Sequence, residues 1–342
     1  MPDPIQKSQA LSGGGGKPAW ICPALIAAFL LMASCDSAST TMQPVTEGAV
    51  SPQTTSAAAN ATPENPSGAG PYLGDTVEES GYLLTALAVA DPATPTNRYK
   101  AKAGQRLVAV DVIVGNLSGG DTEANALNGT LLDTSGNIYQ PRLGAVADEL
   151  NALPILPGEQ TVGWLAFSIP DDAKPAFMEV SFAQPGKDVV AKTGLNKPPV
   201  GHTAVRVALT PTAPATKVGN AVMAQGYSLL VMQVQDSATP AASYIVPKGF
   251  KLVAVQFELK NVAGSDYLSV IAVNASLVDS RGFVYGPELG SIDGQIQSGK
   301  LGAGDTATGW LAFQLPADSS PLYLQYEPVT LTDNYLITGL TK

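Results

Sequence analysis

The sequence predicts an all-β protein with two tandem immunoglobulin-like antiparallel β-sandwiches. The first observation is a duplication, since Gly163-Trp164-Leu165-Ala166-Phe167 returns as Gly309-Trp310-Leu311-Ala312-Phe313. Self-similarity at a fixed distance indicates two copies of one module. The second observation is that apolar residues within each copy recur at every second position, which is typical of half-buried strands. The third is that short alternating runs separated by Gly and Pro turns, with almost no helical period, favour a Greek-key sandwich.

Residues 1–34 are predicted to be a bacterial secretory signal of the lipoprotein type. Lys7 and Lys17 precede the apolar run Ile21 to Ala33, and small residues follow that run. A basic start, a short apolar region and small residues before a cleavage site describe such a signal. The run is interrupted by Pro23 and is shorter than the roughly 20 apolar residues that a transmembrane helix needs.

The end of this signal carries a candidate lipidation site. Met32-Ala33-Ser34-Cys35 resembles the lipobox of bacterial lipoproteins, which implies acylation of Cys35 and attachment to the cell membrane through its acyl chains. The alternative is cleavage by ordinary signal peptidase, which leaves Cys35 as a stray thiol. Cys22 lies inside the apolar run and leaves with it. The processed chain then has one cysteine, so it can form no disulfide framework despite an extracytoplasmic location.

Residues 35–73 are predicted to be a disordered tether. After Cys35 the segment is composed mainly of Ser, Thr, Ala, Pro, Asn and Gly, with few aliphatic side chains. Such a composition cannot bury enough surface to offset the entropy of ordering the chain. We expect the tether to hold the domains away from the membrane without fixing their orientation.

The two repeats align 145 residues apart and, after a one-residue insertion in the second copy, 146 apart. The predicted boundaries are 74–184 for the first sandwich, 185–218 for a linker, 219–328 for the second sandwich and 329–342 for a C-terminal tail. Within the linker, only Ala204 to Leu209 resembles a strand. Because neither repeat contains a disulfide, each core must be held by side-chain packing.

Alternation also predicts which residues face the core. The apolar positions of two matching strands are Val108, Val110, Val112 and Val114 in the first copy and Val253, Val255, Phe257 and Leu259 in the second. Phe167 and Phe313 are predicted to face the core, with Trp164 and Trp310 on the opposite side of the same strands. A bulge at Gly163 or Gly309 would reverse that facing.

The layout resembles a bacterial family of surface lipoproteins of unknown function, whose domain is an immunoglobulin-like sandwich similar to a secreted immunoprotective antigen. The resemblance rests on strands that end at Asn116 and Asn261, on Asp133-x-x-Gly136-x-x-Tyr139 with its counterpart Asp279-x-x-Gly282-x-x-Tyr285, and on Leu156-Pro157-Gly158 followed by Gly163-Trp164-x-x-Phe167. The second copy departs from the pattern at Gly302-Ala303-Gly304. The resemblance implies a fold and a location, and it implies no activity.

The residue types that catalysis and metal binding need are scarce. His202 is the only histidine and lies in the predicted linker. With no cysteine free after lipidation, Cys/His nucleophile pairs and His-based metal sites are excluded from the repeats. We expect His202 to be solvated, because a Ser-His-Asp site would require a domain to hold it in place. The sequence therefore predicts no catalytic residue, no metal site, no cofactor and no enzymatic activity.

Acidic and aromatic residues leave other interpretations open. The adjacent carboxylates Asp148-Glu149 and Asp171-Asp172 could support acid/base chemistry, but we interpret both as solvated turns. The repeated acids Asp91/Asp236 and Asp133/Asp279 could be calcium ligands, yet aspartate before a turn more often bonds its own backbone. The repeated tyrosines Tyr82/Tyr227 and Tyr99/Tyr244 could stack on a ligand, although aromatics in strands usually belong to the core or to cross-strand pairs.

Charge narrows the class of partner. Without residues 1–34 the chain loses Lys7, Lys17 and Asp3, which leaves 17 basic and 28 acidic residues and a net charge of −11. This charge disfavours nucleic acid and anionic lipid surfaces.

Three hypotheses of function follow. The favoured one is a non-catalytic, lipid-anchored extracytoplasmic protein that presents two β-sandwich domains to an envelope or extracellular protein or glycan. The alternatives are a structural spacer of the cell envelope and, less favoured, a hydrolase or metal-dependent enzyme. An apolar or aromatic patch shared by both copies would favour binding, uniformly polar surfaces a spacer, and a deep pocket with clustered carboxylates an enzyme.

Overall fold

The structure is a computed structural model that describes residues 70–184, 187–264, 267–328 and 334–341. The predicted signal, the lipidation site at Cys35 and nearly all of the predicted tether lie outside the described residues. In the described part of the chain no helix has the length and apolarity to cross a membrane.

Ten strands are present in the described residues of the first repeat. They are β1 (Thr76–Glu79), β2 (Tyr82–Ala90), β3 (Gln105–Asn116), β4 (Thr122–Ala124), β5 (Gly129–Asp133), β6 (Ile138–Tyr139), β7 (Leu153–Ile155), β8 (Gln160–Pro170), β9 (Pro175–Gln184) and β10 (Lys187–Gly194). Strands β1-β2-β3-β8 form one antiparallel sheet and β10-β9-β5-β6 the other, with a short β4-β7 pair beside them. A single 3₁₀ turn, Ala126–Asn128, precedes β5.

The second repeat has the same architecture. Its strands are β11 (Ala221–Ala224), β12 (Tyr227–Asp236), β13 (Phe250–Asn261), β14 (Leu268–Val270), β15 (Ala275–Asp279), β16 (Val284–Tyr285), β17 (Gly299–Leu301), β18 (Thr306–Pro316), β19 (Pro321–Tyr326) and β20 (Leu336–Gly339). The sheets are β11-β12-β13-β18 and β16-β15-β19-β20, with the β14-β17 pair. A 3₁₀ turn at Ala272–Asn274 again precedes the fifth strand. The predicted pair of antiparallel sandwiches is confirmed.

Alternation along β3 and β13 builds the two cores as predicted. The inward residues Val108, Val110, Val112 and Val114 and their counterparts Val253, Val255, Phe257 and Leu259 have no exposed surface. Period-two patterning places these side chains on one face of each sheet, where the facing sheet covers them.

Strand β8 has Phe167 on one side and Trp164 on the other, and Gly163 lies beside them. Phe167 is buried in the main core, whereas Trp164 packs in a smaller cluster on the other side of the sheet. Pairing of β3 with β8 continues through Gly163 without a bulge. A Cβ at Gly163 would lie 2.5 Å from Cα of Leu150, in the loop that covers this side. The glycine is therefore needed for close approach of a loop, and the predicted facing of Phe167 and Trp164 is confirmed.

The sandwiches extend beyond the predicted boundaries. Strand β10 lies in the expected linker and completes the first repeat by pairing with β9. Strand β20 lies in the expected C-terminal tail and pairs with β19. Thr193-Gly194-Leu195 and Thr338-Gly339-Leu340 end these two strands at a spacing of 145. The expected strand at Ala204 to Leu209 is not formed.

The two repeats pack directly on each other. Val278, Val284 and Tyr323 of the second repeat belong to the same buried cluster as the first repeat's core. The backbone N–H of Gln160 donates to the carbonyl of Gly282 at 2.8 Å. The described residues of both repeats accordingly belong to one compact unit.

Candidate binding cleft at the junction of the repeats

His202 is held against the first repeat, which corrects the expectation that it is solvated. Its Nε2 lies 2.8 Å from Oδ1 of Asp75, and its ring meets the edge of Tyr72. Asp75 is 5% exposed and also accepts hydrogen bonds from the backbone N–H groups of Tyr72 and Val205. A buried carboxylate needs such donors, and the linker supplies two of them. The contact therefore ties the linker to the first repeat through His202 and the backbone N–H of Val205.

The repeated acids at the β5–β6 turn bond their own turn, as the turn interpretation expects. Asp133 accepts hydrogen bonds from the backbone of Ser135 and Asn137 and from the hydroxyl of Tyr139. Burial raises the pKa of Asp133, but the hydrogen bonds from Asn137, Tyr139 and Ser135 outweigh it and leave the pKa below its ordinary value. Asp279 occupies the same place in the second repeat and accepts from Arg281, Phe283, Tyr285 and Ser319.

The other repeated acids form ion pairs. Both carboxylate oxygens of Asp91 accept from the guanidinium of Arg106, at 2.6 and 2.8 Å. The same guanidinium binds the carbonyl of Asp171 in the Asp171-Asp172 pair. In the second repeat Lys251 approaches Asp236 at 2.8 Å. Asp91 and Asp236, like Asp133 and Asp279, are thus occupied by local structure.

The repeated tyrosines belong to the protein interior, which overturns the stacking-surface alternative for the first pair. Tyr82 and Tyr227 are 3% and 2% exposed, and Tyr82 stacks on Phe182. Tyr99 and Tyr244 are partly buried in the smaller clusters beside Trp164 and Trp310.

A cleft of about 300 Å³ opens where the two repeats meet. Its carboxylates are Asp111, Asp148, Glu149 and Glu288, and its aromatic side chains are Trp164, Phe250 and Tyr285. No lysine, arginine, histidine or cysteine lies among its lining residues in the described part of the chain. The volume is at the lower end of ligand pockets in proteins.

Local structure sets the acidic side of this cleft. The loop that covers Trp164 is tied to β8, because the N–H of Trp164 donates to the carbonyl of Asp148 at 2.9 Å. Asp148 has a φ of 52°, and Glu149 accepts from the N–H of Gly144 at 2.5 Å. Asp148 is exposed in a bend, as the solvated-turn interpretation expects, whereas Glu149 is half-buried, and both line the cleft. Burial and the neighbouring charge of Asp148 raise the pKa of Asp111.

The apolar side is accessible. Phe250 is 43% exposed and Val162 is 41% exposed. Exposed apolar surface beside acidic groups suits a ligand that combines cationic heads with apolar stems.

Glu159 is the buried ionisable residue at the junction that sequence reasoning missed. Its side chain has no exposed surface and accepts from the hydroxyl of Tyr323 in the second repeat. Burial raises the pKa of Glu159 to about 7. The available signal was its alignment with Asp305, another acid at the same place in the repeat. It lies beneath the junction and does not line the cleft.

Comparison with curated proteins finds no match. Among solved structures, the lipoprotein candidate ycdA of Bacillus subtilis is 14% identical with a TM-score of 0.31, over 35% of this chain and 38% of that one. The secreted protein MPT63 of Mycobacterium tuberculosis is 14% identical with a TM-score of 0.31, over 38% of this chain and 99% of that one. The yjhA protein of Bacillus subtilis is 18% identical with a TM-score of 0.31, over 37% and 99%.

Comparison with family models finds the same family twice. Its model matches residues 72–189 and 216–335, so each match covers most of one sandwich and together they account for more than half of the chain. The chain therefore belongs to the family described as Domain of unknown function (DUF4352), of which it carries two tandem copies.

Proposed function

We propose that this chain is a non-catalytic, lipid-anchored extracytoplasmic protein whose joined β-sandwiches bind a cationic segment of a protein partner at the cell surface. The observation that carries the proposal is the junction cleft, which four carboxylates and three aromatic side chains line together. Membrane attachment is proposed through acyl chains on Cys35, from the lipobox-like Met32-Ala33-Ser34-Cys35.

The chemistry of the cleft favours lysine or arginine side chains as ligands. A cation gains from the carboxylates and from the face of an aromatic ring, while the stem of its side chain covers apolar surface. The excess of acidic residues, with a net charge of −10 for the whole sequence, steers positively charged partners toward the protein. A neutral glycan would gain the stacking but little from the charges.

The same carboxylates raise the enzyme alternative, so we weigh it here. Paired carboxylates hydrolyse glycosides when one acts as acid and the other as base or nucleophile. In the described residues, no group of three or more Asp, Glu, His or Cys side chains could hold a metal ion. Two of the cleft acids, Asp148 and Glu149, belong to a loop that backbone hydrogen bonds hold on β8. Acids in such a fixed position suit recognition of a partner.

A titration of the full chain tests the binding proposal. A fluorescent lysine-rich peptide should bind in a salt-dependent manner, and a peptide with glutamine in place of lysine should not. Asp148→Asn together with Glu288→Gln should weaken binding about tenfold or more. Asparagine tolerates the positive φ of position 148, so the fold should persist. Asp172→Asn, an exposed acid outside the cleft, is the matched control.

Four outcomes would count against the proposal. Equal affinity for both peptides, or no effect of the double variant, would remove the cleft as a cation site. Glycan hydrolysis that the double variant abolishes would favour the enzyme. Retention of Cys35→Ala in the detergent-soluble membrane fraction would contradict the lipid anchor.

A spacer is the second candidate, because the buried contact between the repeats makes them one unit. A spacer would keep its role in the envelope when the cleft is altered, whereas a binding protein would lose its partner. Comparison of Asp148→Asn/Glu288→Gln with wild type in cross-linking pull-downs from intact cells distinguishes the two.

A further inference from the structure

The same sheet face is covered in one repeat and open in the other. In the second repeat the outer face of β15, β16, β19 and β20, here the covered face, carries Val278, Val284, Tyr323, Gln325 and Ile337. In the first repeat the outer face of β5, β6, β9 and β10, here the open face, carries Leu132, Ile138, Phe177, Glu179 and Lys192 at the same registers.

The difference in exposure is large. Val284 is 3% exposed, whereas Ile138, its counterpart, is 63% exposed. Val278 has no exposed surface, whereas Leu132 is half-buried. Val190, on the edge strand of the open face, is 44% exposed. The same apolar positions are therefore an interface in one copy and free surface in the other.

What covers the second face is the turn before β8 of the first repeat. Gln160 donates from its backbone to Gly282 and from its side chain to the carbonyl of Arg281, at 2.8 and 3.0 Å. A Cβ at Gly282 would lie 2.8 Å from the carbonyl oxygen of Gly158. This turn inserts its acid, Glu159, against Tyr323.

The second repeat carries the same turn before β18, and it is exposed. The N–H of Asn261 donates to the carbonyl of Asp305, and the N–H of Gly302 to Oδ2 of Asp305. The first repeat has the identical pair of bonds, from Asn116 to the carbonyl of Glu159 and from Leu156 to its Oε2. Among the residues that the structure describes, one molecule thus has an exposed turn in its second repeat and an exposed apolar face in its first.

We infer that the open face of one molecule binds the 302–306 turn of a second copy, so that molecules associate head to tail by the contact that joins their repeats. Charge supports this occupant, because Lys192 of the open face stands where the covered face has Ile337, and the incoming turn presents the exposed Asp305. Lys192 is half-exposed and pairs with Glu179 at 3.0 Å above the ring of Phe177. On docking, Lys192 would pair with Asp305 of the second copy, either in place of Glu179 or together with it.

Such a contact is heterologous, so it extends into chains or closes into rings. The Lys192–Glu179 ion pair must be rearranged on docking, and charged groups at the edge of the contact stay in water. The association should therefore be weak and dependent on salt. This inference goes beyond the proposed function, since it requires neither the cleft nor a foreign partner.

Cross-linking between two variants of the full chain, each with one added cysteine, tests the contact. Gln160 lies beside Arg281 within the molecule, and the equivalent pair between molecules is Thr306 beside Ser135. Ser135→Cys and Thr306→Cys change two exposed side chains conservatively. A mixture of the two, treated with a short bismaleimide, should give a cross-linked dimer well above either variant alone. The chain without added cysteines reports the background from Cys22 and Cys35.

Sedimentation velocity of the full chain in detergent gives the second readout. Wild type should show concentration-dependent association, and Ile138→Glu should weaken it about tenfold, since a buried carboxylate would then face Asp305. Ile245→Glu is the matched control, because Ile245 is 87% exposed and lies outside both faces.

The inference is overturned if wild type sediments as a monomer at every concentration and the mixture cross-links no better than the background. It is overturned equally if Ile138→Glu associates as wild type does. If Ser135→Cys alone gives as much cross-linked dimer as the mixture, two open faces contact each other. That result would also refute the inference.

Discussion

The hydroxyl of Tyr323 donates a hydrogen bond of 2.5 Å to Oε1 of Glu159 across the junction of the two repeats. The N–H of Leu156 donates to the other carboxylate oxygen at 2.7 Å. Burial raises the pKa of Glu159 to about 7, because desolvation opposes the charged form more than these hydrogen bonds favour it. The junction therefore contains a carboxyl group whose charge changes near neutral pH.

We expect the stability of the junction to fall as pH rises through neutrality. The folded-state pKa of about 7 lies above the ordinary value of 4.5, so folding favours the protonated form. The stability from this group is complete below about pH 4.5 and is lost as pH rises through about 7. The full effect is on the order of 3 kcal/mol. Thermal melts of wild type from about pH 5.5 to 8.5 should show the fall.

Glu159→Gln should flatten that pH dependence, because glutamine does not titrate. Asp305→Asn is the matched control, since it removes the acid at the same place in the second repeat, where it is exposed. A Glu159→Gln profile that keeps the wild-type slope would show that another group titrates.

Strand facing could be predicted from the sequence because a period of two is a local property. Val112 and Phe257 follow it and are buried. The junction could not be predicted in this way, because alternation identifies an apolar face without saying what covers it. Leu132 and Val278 are both apolar at equivalent positions, yet only Val278 is buried without exposed surface.

The candidate cleft escaped prediction for a related reason. Asp111 and Trp164 are partners across β3 and β8 of the first repeat, and Glu288 joins them only because the repeats pack together. The last strand of each repeat was within reach of the sequence, since Thr-Gly-Leu ends both. The two copies of this strand are 145 residues apart, whereas the strands just before them are 146 apart. An alignment at a constant distance of 146 therefore misses them.

The corrected boundaries predict which fragments fold. A fragment of residues 70–184 lacks β10, and with it Val189 and Leu195 of the first core. Each buried side chain of this size contributes about 1.5 to 3 kcal/mol, a large share of the roughly 5 to 15 kcal/mol that stabilise a domain. Residues 70–196 should melt cooperatively by circular dichroism, and residues 70–184 should not. Equal melting of both fragments would mean that β10 is dispensable.

The Asp75–His202 contact predicts how the linker is released. Burial raises the pKa of Asp75, but its hydrogen bonds outweigh this and the net pKa is lowered. The stabilisation is therefore present above the ordinary value of 3.8 and is lost as pH falls through the lower folded-state pKa. Asp75→Asn should raise the rate of tryptic cleavage after Arg206 about tenfold, because the linker then detaches more often.

His202→Ala should have a smaller effect on cleavage, since the two backbone donors to Asp75 remain. Asp188→Asn, an exposed acid on β10, serves as the control. Cleavage of Asp75→Asn at the wild-type rate would show that this contact does not hold the linker.

The pair at the centre of the repeat, Phe313 and Trp310, predicts two unequal losses of stability. Phe313 has no exposed surface and packs in the main core of the second repeat. Phe313→Ala leaves a cavity there and should cost about 3 to 5 kcal/mol. Trp310 is partly exposed and packs on the other side of the strand, beside Ile292 and Ala312.

Trp310→Ala should cost less, because the loop over that side keeps its attachment without the ring. The N–H of Trp310 donates to the carbonyl of Gly294, and its carbonyl accepts from the N–H of Ile296, and alanine preserves both bonds. Urea unfolding of the full chain, with each variant compared with wild type, measures the two costs. If Trp310→Ala proves as destabilising as Phe313→Ala, the ring itself must fasten the loop, and the backbone bonds alone do not hold it.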